Sequence, residues 1–129
     1  MKLINKVRYA VLAMVDIAKY ADDKPCKLSN IALRQNISLH FLEQIFLKLK
    51  KSNLVISHRG PGGGYSLSDR RENIKVSDVI AAVDESIKTT GCSNNPNSFC
   101  TGKSAKCLTH NLWEDLGNLI EDYLESVSL

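Results

Sequence analysis

Cys92, Cys100, Cys107 and His110 are the residues of this 129-residue chain whose types and spacing suit inorganic chemistry. Seven, six and two residues separate successive members of the set. Four protein ligands complete either a closed zinc site or a two-iron cluster. Structural zinc sites mostly take their ligands from two short-spaced pairs, and here only Cys107 and His110 are close. The longer gaps suit a bulkier inorganic core, with zinc as the alternative. An imidazole in place of one thiolate makes a cluster less negative, raises its potential and supplies a protonatable ligand. The spacing of Cys107 and His110 predicts that both point the same way from the first turn of a helix, where the dipole favours a thiolate. Three unrelated thiols would be the plainer reading, but cysteine is too rare for that grouping to arise easily by chance. Cys26 lies far off in sequence and reads as a small hydrophobe in a connector.

Two kinds of element must hold such a set. Residues 88–106 are rich in Thr, Ser, Asn, Gly and Lys, and form a loop too long to be an ordinary connector. A helix is predicted from about Ala105 or Lys106 to Ser126. Its apolar positions run Leu112, Leu116, Leu119 and Tyr123, and also Trp113, Leu116, Ile120, Tyr123 and Val127. That face is too wide for a helix lying on a small domain, which points to a dimerisation helix. Packing on the chain's own first helix is the alternative.

The N-terminal half reads as a reader of double-stranded DNA. Leu3 to Ala21 has helical apolar spacing through Val7, Ala10, Val11, Met14, Ile17 and Ala18, and stops before Pro25. A short helix fits Leu28 to Gln35, with Ser29 as its N-cap. Asn36-Ile37-Ser38 is a tight turn, and Ser38 caps a third helix buried through Leu39, Leu42, Ile45, Phe46 and Leu49. The other face of that helix shows His40, Phe41, Glu43, Gln44, Lys48 and Lys51. Two helices so joined form a helix-turn-helix, whose second member enters the major groove. Leu54-Val55-Ile56-Ser57 and Tyr65-Ser66-Leu67 have strand character, and Arg59-Gly60-Pro61-Gly62-Gly63-Gly64 lies between them. This hairpin makes the element a winged helix, with Arg59 at a tip suited to a minor groove. A further helix is predicted over Val76 to Ile87. The fold class is therefore mainly α: residues 1–87 a winged helix-turn-helix domain, 88–106 a metal-binding loop, 107–129 the dimerisation helix.

Charge agrees with this division. Residues 1–60 carry 11 Lys or Arg against four Asp or Glu, whereas residues 61–129 carry six against ten, so +7 and −4 make the net +3. A basic half next to an acidic one suits contact with a polyanion. No secretory signal or apolar span of about 20 residues stands in the sequence, so a soluble cytoplasmic chain is expected, with its thiols reduced. No catalytic triad, phosphate loop or carboxylate pair stands out, and Asp84-Glu85 reads as a solvated helix face; an enzyme is not expected.

Lys6-Val7-Arg8-Tyr9-Ala10-Val11, Leu42-Glu43-Gln44 after Ile37-Ser38, and Arg59-Gly60-Pro61-Gly62-Gly63-Gly64-Tyr65 resemble the Rrf2 winged-helix repressors. Ala82-Val83-Asp84-Glu85-Ser86 and Cys107-Leu108-Thr109-His110-Asn111-Leu112-Trp113 narrow the resemblance to its iron–sulfur-cluster regulators. The likeness implies a homodimeric transcription factor whose [2Fe-2S] cluster is held by Cys92, Cys100, Cys107 and His110. It implies that cluster occupancy changes which promoters are bound, feeding back on genes of cluster assembly. It also implies that Ser38, His40, Phe41, Glu43, Gln44, Arg59 and Gly60 lie against DNA; Lys48 and Pro61 share those two surfaces and complete the expected set. The chain differs at His40 and Phe41, where these regulators usually have serine and tyrosine, and in its wider cysteine spacing. A dimer of this kind sets two third helices ~34–36 Å apart in successive major grooves, so operators are expected to be near-palindromic.

Overall fold

Asn36 and Ser38 shape the N-terminal half. In the computed structural model, which describes residues 5–21, 24–83 and 108–129, α1 (Asn5–Tyr20) leads through a connector to α2 (Leu28–Gln35). Asn36 then takes a left-handed φ of 52° and Ile37 N–H returns to Ala32 O at 3.1 Å, a close that asparagine tolerates better than most residues. Ser38 Oγ accepts from Phe41 N–H at 3.4 Å and so starts α3 (Leu39–Lys51), as its sequence position predicts. α2, in contrast, is entered from Lys27, in extended conformation and without a side-chain cap; Ser29 lies inside the helix. The reason is tertiary, because backbone bonds between Cys26 and Tyr65 fix where the extended chain ends.

α3 closes through Asn53, at φ 60°. Asn53 N–H bonds Lys50 O and Leu54 N–H bonds Leu49 O, both at 3.0 Å, the paired bonds of a Schellman end. The chain turns straight into β1 (Val55–His58), which pairs antiparallel with β2 (Gly64–Leu67) in the register Val55 opposite Leu67 and His58 opposite Gly64. Between them Gly63 N–H returns to Gly60 O at 2.9 Å, with Pro61 at the second turn position, where its fixed φ is favoured. Gly63 and Gly64 both leave no room for a Cβ, and at Gly64 the backbone angle forbids one as well. The φ of Gly64 is +148°, and a Cβ there would stand 2.4 Å from Cys26 O, because the wing's root is bonded to the Cys26 backbone. Gly64→Ala is expected to lower the unfolding free energy by about 2–3 kcal/mol, read as a fall in the urea midpoint.

A 3-10 turn at Arg71–Asn73 precedes α4 (Val76–Ala82), where Lys75 N–H donates to Asp78 Oδ2 at 3.0 Å. The sequence pattern predicts this helix up to Ile87; the described helix ends at Ala82 with Val83 as its C-cap, and 84–87 lie outside the described residues. α5 (His110–Ser126) lies against α4, and its end is tied back by Val76 N–H to Val127 O at 2.9 Å and Leu129 N–H to Ile74 O at 3.1 Å.

The core gathers Val7, Ala10, Met14 and Ile17 of α1, Ile31 of α2, Leu42, Ile45, Phe46 and Leu49 of α3, and Val79 and Val83. Leu39, expected inside, is partly exposed. Among the described residues, one charge sits in this core. The Asp16 side chain is fully buried, and its carboxylate accepts from Arg34 Nε at 3.0 Å, from Arg34 Nη2, and from Gln35 Nε2 at 2.7 Å. The same Arg34 Nη2 reaches Cys26 Sγ at 3.3 Å, and its guanidinium lies over the Tyr20 ring at 5.0 Å. A buried carboxylate is tolerable only with such partners. The network therefore fixes α2 on α1 and, through Cys26, on the root of the wing.

Candidate nucleic-acid interface

With Leu42, Ile45, Phe46 and Leu49 turned into the core, a helical repeat of about 100° per residue sends His40, Glu43 and Gln44 the opposite way. All three are exposed. Gln44 Nε2 lies 3.2 Å from His40 Nε2, so its amide donates to the ring nitrogen when that nitrogen is unprotonated. The bond orders a side chain able to present both an acceptor and a donor. Phe41 and Lys48 stand at the flank. Phe41 is half-buried, its ring edge-on to Tyr9 at 5.8 Å, and Lys48 is partly covered. Ser38 is occupied in capping the helix, at the end where backbone N–H groups face outward. Lys48, Lys50 and Lys51 end α3 with positive charge.

The wing stands beside this ridge. The Phe46 and Tyr65 rings, 5.0 Å apart, hold β2 on α3, and His58 Nε2 hydrogen-bonds Ser66 Oγ across the strands at 2.8 Å. Arg59, Gly60 and Pro61 are exposed at the tip, and the Arg59 guanidinium makes no hydrogen bond or ion pair among the described residues. The turn thus offers a cation and bare backbone on a rigid two-stranded support. A protruding helix of exposed polar residues beside a basic wing has the shape and charge to meet a duplex.

Of the metal-ligand set, only His110 is described; Cys92, Cys100 and Cys107 lie outside the described residues. His110 is the first residue of α5, after a turn at Leu108 and Thr109. The start is set by Trp113, whose N–H bonds Thr109 O at 3.3 Å and whose indole N–H bonds Thr109 Oγ1 at 3.1 Å. The His110 side chain is 18% exposed, with Nε2 3.8 Å from Glu114 Oε2. Among the described residues no group of three His, Cys, Asp or Glu stands ready for a metal.

Residues 3–129 match the Rrf2 family, described as an iron-dependent transcriptional regulator. The chain belongs to the Rrf2 family. It is 49% identical over 129 residues to the HTH-type transcriptional regulator IscR of Vibrio campbellii, covering all of this chain and 75% of that protein. Among solved structures, IscR from T. potens superposes with a TM-score of 0.80 at 34% identity, covering 99% of this chain and 82% of that one. CymR, the global cysteine regulator of B. subtilis, superposes at 0.82 with 27% identity, covering 99% and 92%. These relatives are transcriptional regulators, not enzymes, and a winged-helix regulator of their kind binds DNA.

The residues that no sequence motif marks are those that position α3. Asp16, Arg34 and Gln35 touch no expected ligand, yet they fix α2, and α2 fixes α3 through the Asn36 turn. Asp16 was legible in principle, as an acidic residue at helical spacing between Ala13 and Ile17 on a buried stripe. No helix among the described residues is long and apolar enough to cross a membrane.

Proposed function

We propose that this chain is a homodimeric, DNA-binding transcription regulator carrying a [2Fe-2S] cluster on Cys92, Cys100, Cys107 and His110. It works in the cytoplasm, on near-palindromic operators of cluster-assembly or related genes, and cluster supply decides which operators it holds. The observation that carries this reading is the donor set. Three thiols and one imidazole satisfy two iron centres completely, and the imidazole sits at the head of α5, which lies against α4. A bound cluster would supply an oxidant-sensitive, electron-accepting centre.

The chain's own groups then do the reading. Gln44, oriented by His40, suits the paired donor and acceptor of adenine. Glu43 repels phosphate and accepts only from the cytosine amino group, so it admits few sequences. Arg59 enters a groove from the wing, with Gly60 and Pro61 letting the backbone approach. Lys48 meets phosphate from the flank of α3, beside Ser38 and Phe41 at the helix's start.

The dimer reading rests on α5. Leu116, Ile120 and Leu124 are half-buried on their own chain, whereas Leu112, Leu119 and Tyr123 form a second apolar strip left 58–68% exposed. Burying such side chains is worth ~1.5–3 kcal/mol each, and a symmetric mate covers the strip twice over. Leu119→Asp is expected to give a monomer by sedimentation at micromolar concentration, with the melting of each chain's winged domain unchanged.

The deciding experiment is purification without oxygen, with a visible spectrum, iron and sulfide counts, and operator titration by cluster-loaded and metal-free protein. A coloured protein with two irons and two sulfides per chain, and operator preferences that differ between the two forms, is expected. Colourless protein after attempted reconstitution would leave a zinc-stabilised or metal-independent Rrf2 repressor. Equal affinity of both forms for every site would remove the sensing role.

A further inference from the structure

The third turn of α3 presents an aliphatic side chain where the ridge is otherwise polar. Leu47 is 66% exposed, and it neither joins the core nor packs against its rim. At about 100° per residue it points within ~20° of His40 and between the directions of Glu43 and Gln44. His40, Glu43, Gln44 and Leu47 therefore make one ridge at i, i+3, i+4 and i+7, opposite the buried face. A helix lying along a major groove reaches successive base edges with this spacing over two turns. Seven residues of helix rise ~10 Å, which is about three base steps at ~3.4 Å each. A single exposed leucine is ordinary on a protein surface, as Leu33 on α2 is. Leu47 differs because its neighbours on both sides are groups able to hydrogen-bond bases, and it has no donor or acceptor. Bases offer one apolar feature on the major-groove edge, the 5-methyl group of thymine.

We propose that Leu47 is a specificity-determining residue that reads a thymine 5-methyl group, about three base pairs from the pair faced by His40. This rests on α3 being the groove-entering helix, and the test separates the two ideas. The full chain is used to enrich an operator from random-sequence DNA, and each thymine is then replaced in turn by deoxyuridine, which removes only the methyl group. Wild-type protein is expected to lose about fourfold in affinity at one position per half-site, the worth of burying roughly one methyl group. Leu47→Ala should bind the original operator about fourfold more weakly and be indifferent to deoxyuridine at that position, while Leu47→Met keeps the preference. Leu47 is exposed, so the variants should melt with the wild type. Deoxyuridine tolerated everywhere by wild type, or penalised equally in wild type and Leu47→Ala, would overturn the assignment and leave α3 as the reading helix. If no sequence is enriched at all, the groove-entry reading falls and this one with it.

Discussion

Asp16→Ala is expected to lower the unfolding free energy by about 3 kcal/mol, measured by urea denaturation at neutral pH. Removing one member of a buried, hydrogen-bonded ion pair typically costs ~3–5 kcal/mol, because the other charge is left without its partner. Here the Arg34 side chain is 34% exposed, so water recovers part of that loss and the lower end applies. The effect carries a pH signature. Burial by itself raises the Asp16 carboxyl, but the hydrogen bonds from Arg34 and Gln35 and the charge of Arg34 outweigh it and hold the group below its ordinary range. A carboxyl lowered in the folded state binds fewer protons there than in the unfolded chain. Its contribution is therefore complete above the ordinary carboxylate value of about 4 and disappears as pH falls through the lower, folded value. Wild type should lose stability across that acid window, and Asp16→Asn should lack this component of the slope. An identical slope in both proteins would remove the network from its stabilising role. Since the pair also fixes α2 on α1, operator affinity should fall with Asp16→Ala even where the protein remains folded.

His110→Ala has the largest expected effect on composition: loss of most iron, acid-labile sulfide and visible absorbance after anaerobic purification. The fold should stay intact, because His110 is the first residue of α5 and its ion-pair contact with Glu114 is a long one, at 3.8 Å. Helix content and thermal melting of the metal-free forms should match. His110→Cys is the informative companion. A fourth thiolate still completes two iron centres, so the cluster should remain, with a more negative potential from the added charge. Wild-type iron content in His110→Ala would exclude the imidazole as a ligand.

Local chemistry made much of this architecture legible. The Ser38 cap, the apolar period of α3 and the alternation of the two strands act over a few residues, and each element formed where those signals stand. The turn at Asn36 is likewise local, since asparagine accepts the left-handed backbone the close requires. Where partners come from far along the chain, the reading was less complete. Ser29 has the chemistry of a cap, but the Cys26–Tyr65 bridge moves the helix entry to Lys27. Phe41, expected on the open face, leans on Tyr9.

The sequence by itself determined the type and order of the five described α-helices and the two strands, the polar ridge of α3, the wing and the family, together with a donor set of three thiols and an imidazole. These follow from periodicity, caps, turn residues and side-chain chemistry, all of which operate within a turn or two of helix. Only the tertiary structure decided that Asp16 is a buried anchor, that Gly64 must have no Cβ, that Leu47 stands exposed on the polar ridge of α3, and that α5 keeps a second apolar strip uncovered. Each of these depends on which distant surfaces meet, and that is set by packing the whole core at once rather than by any short stretch of chain.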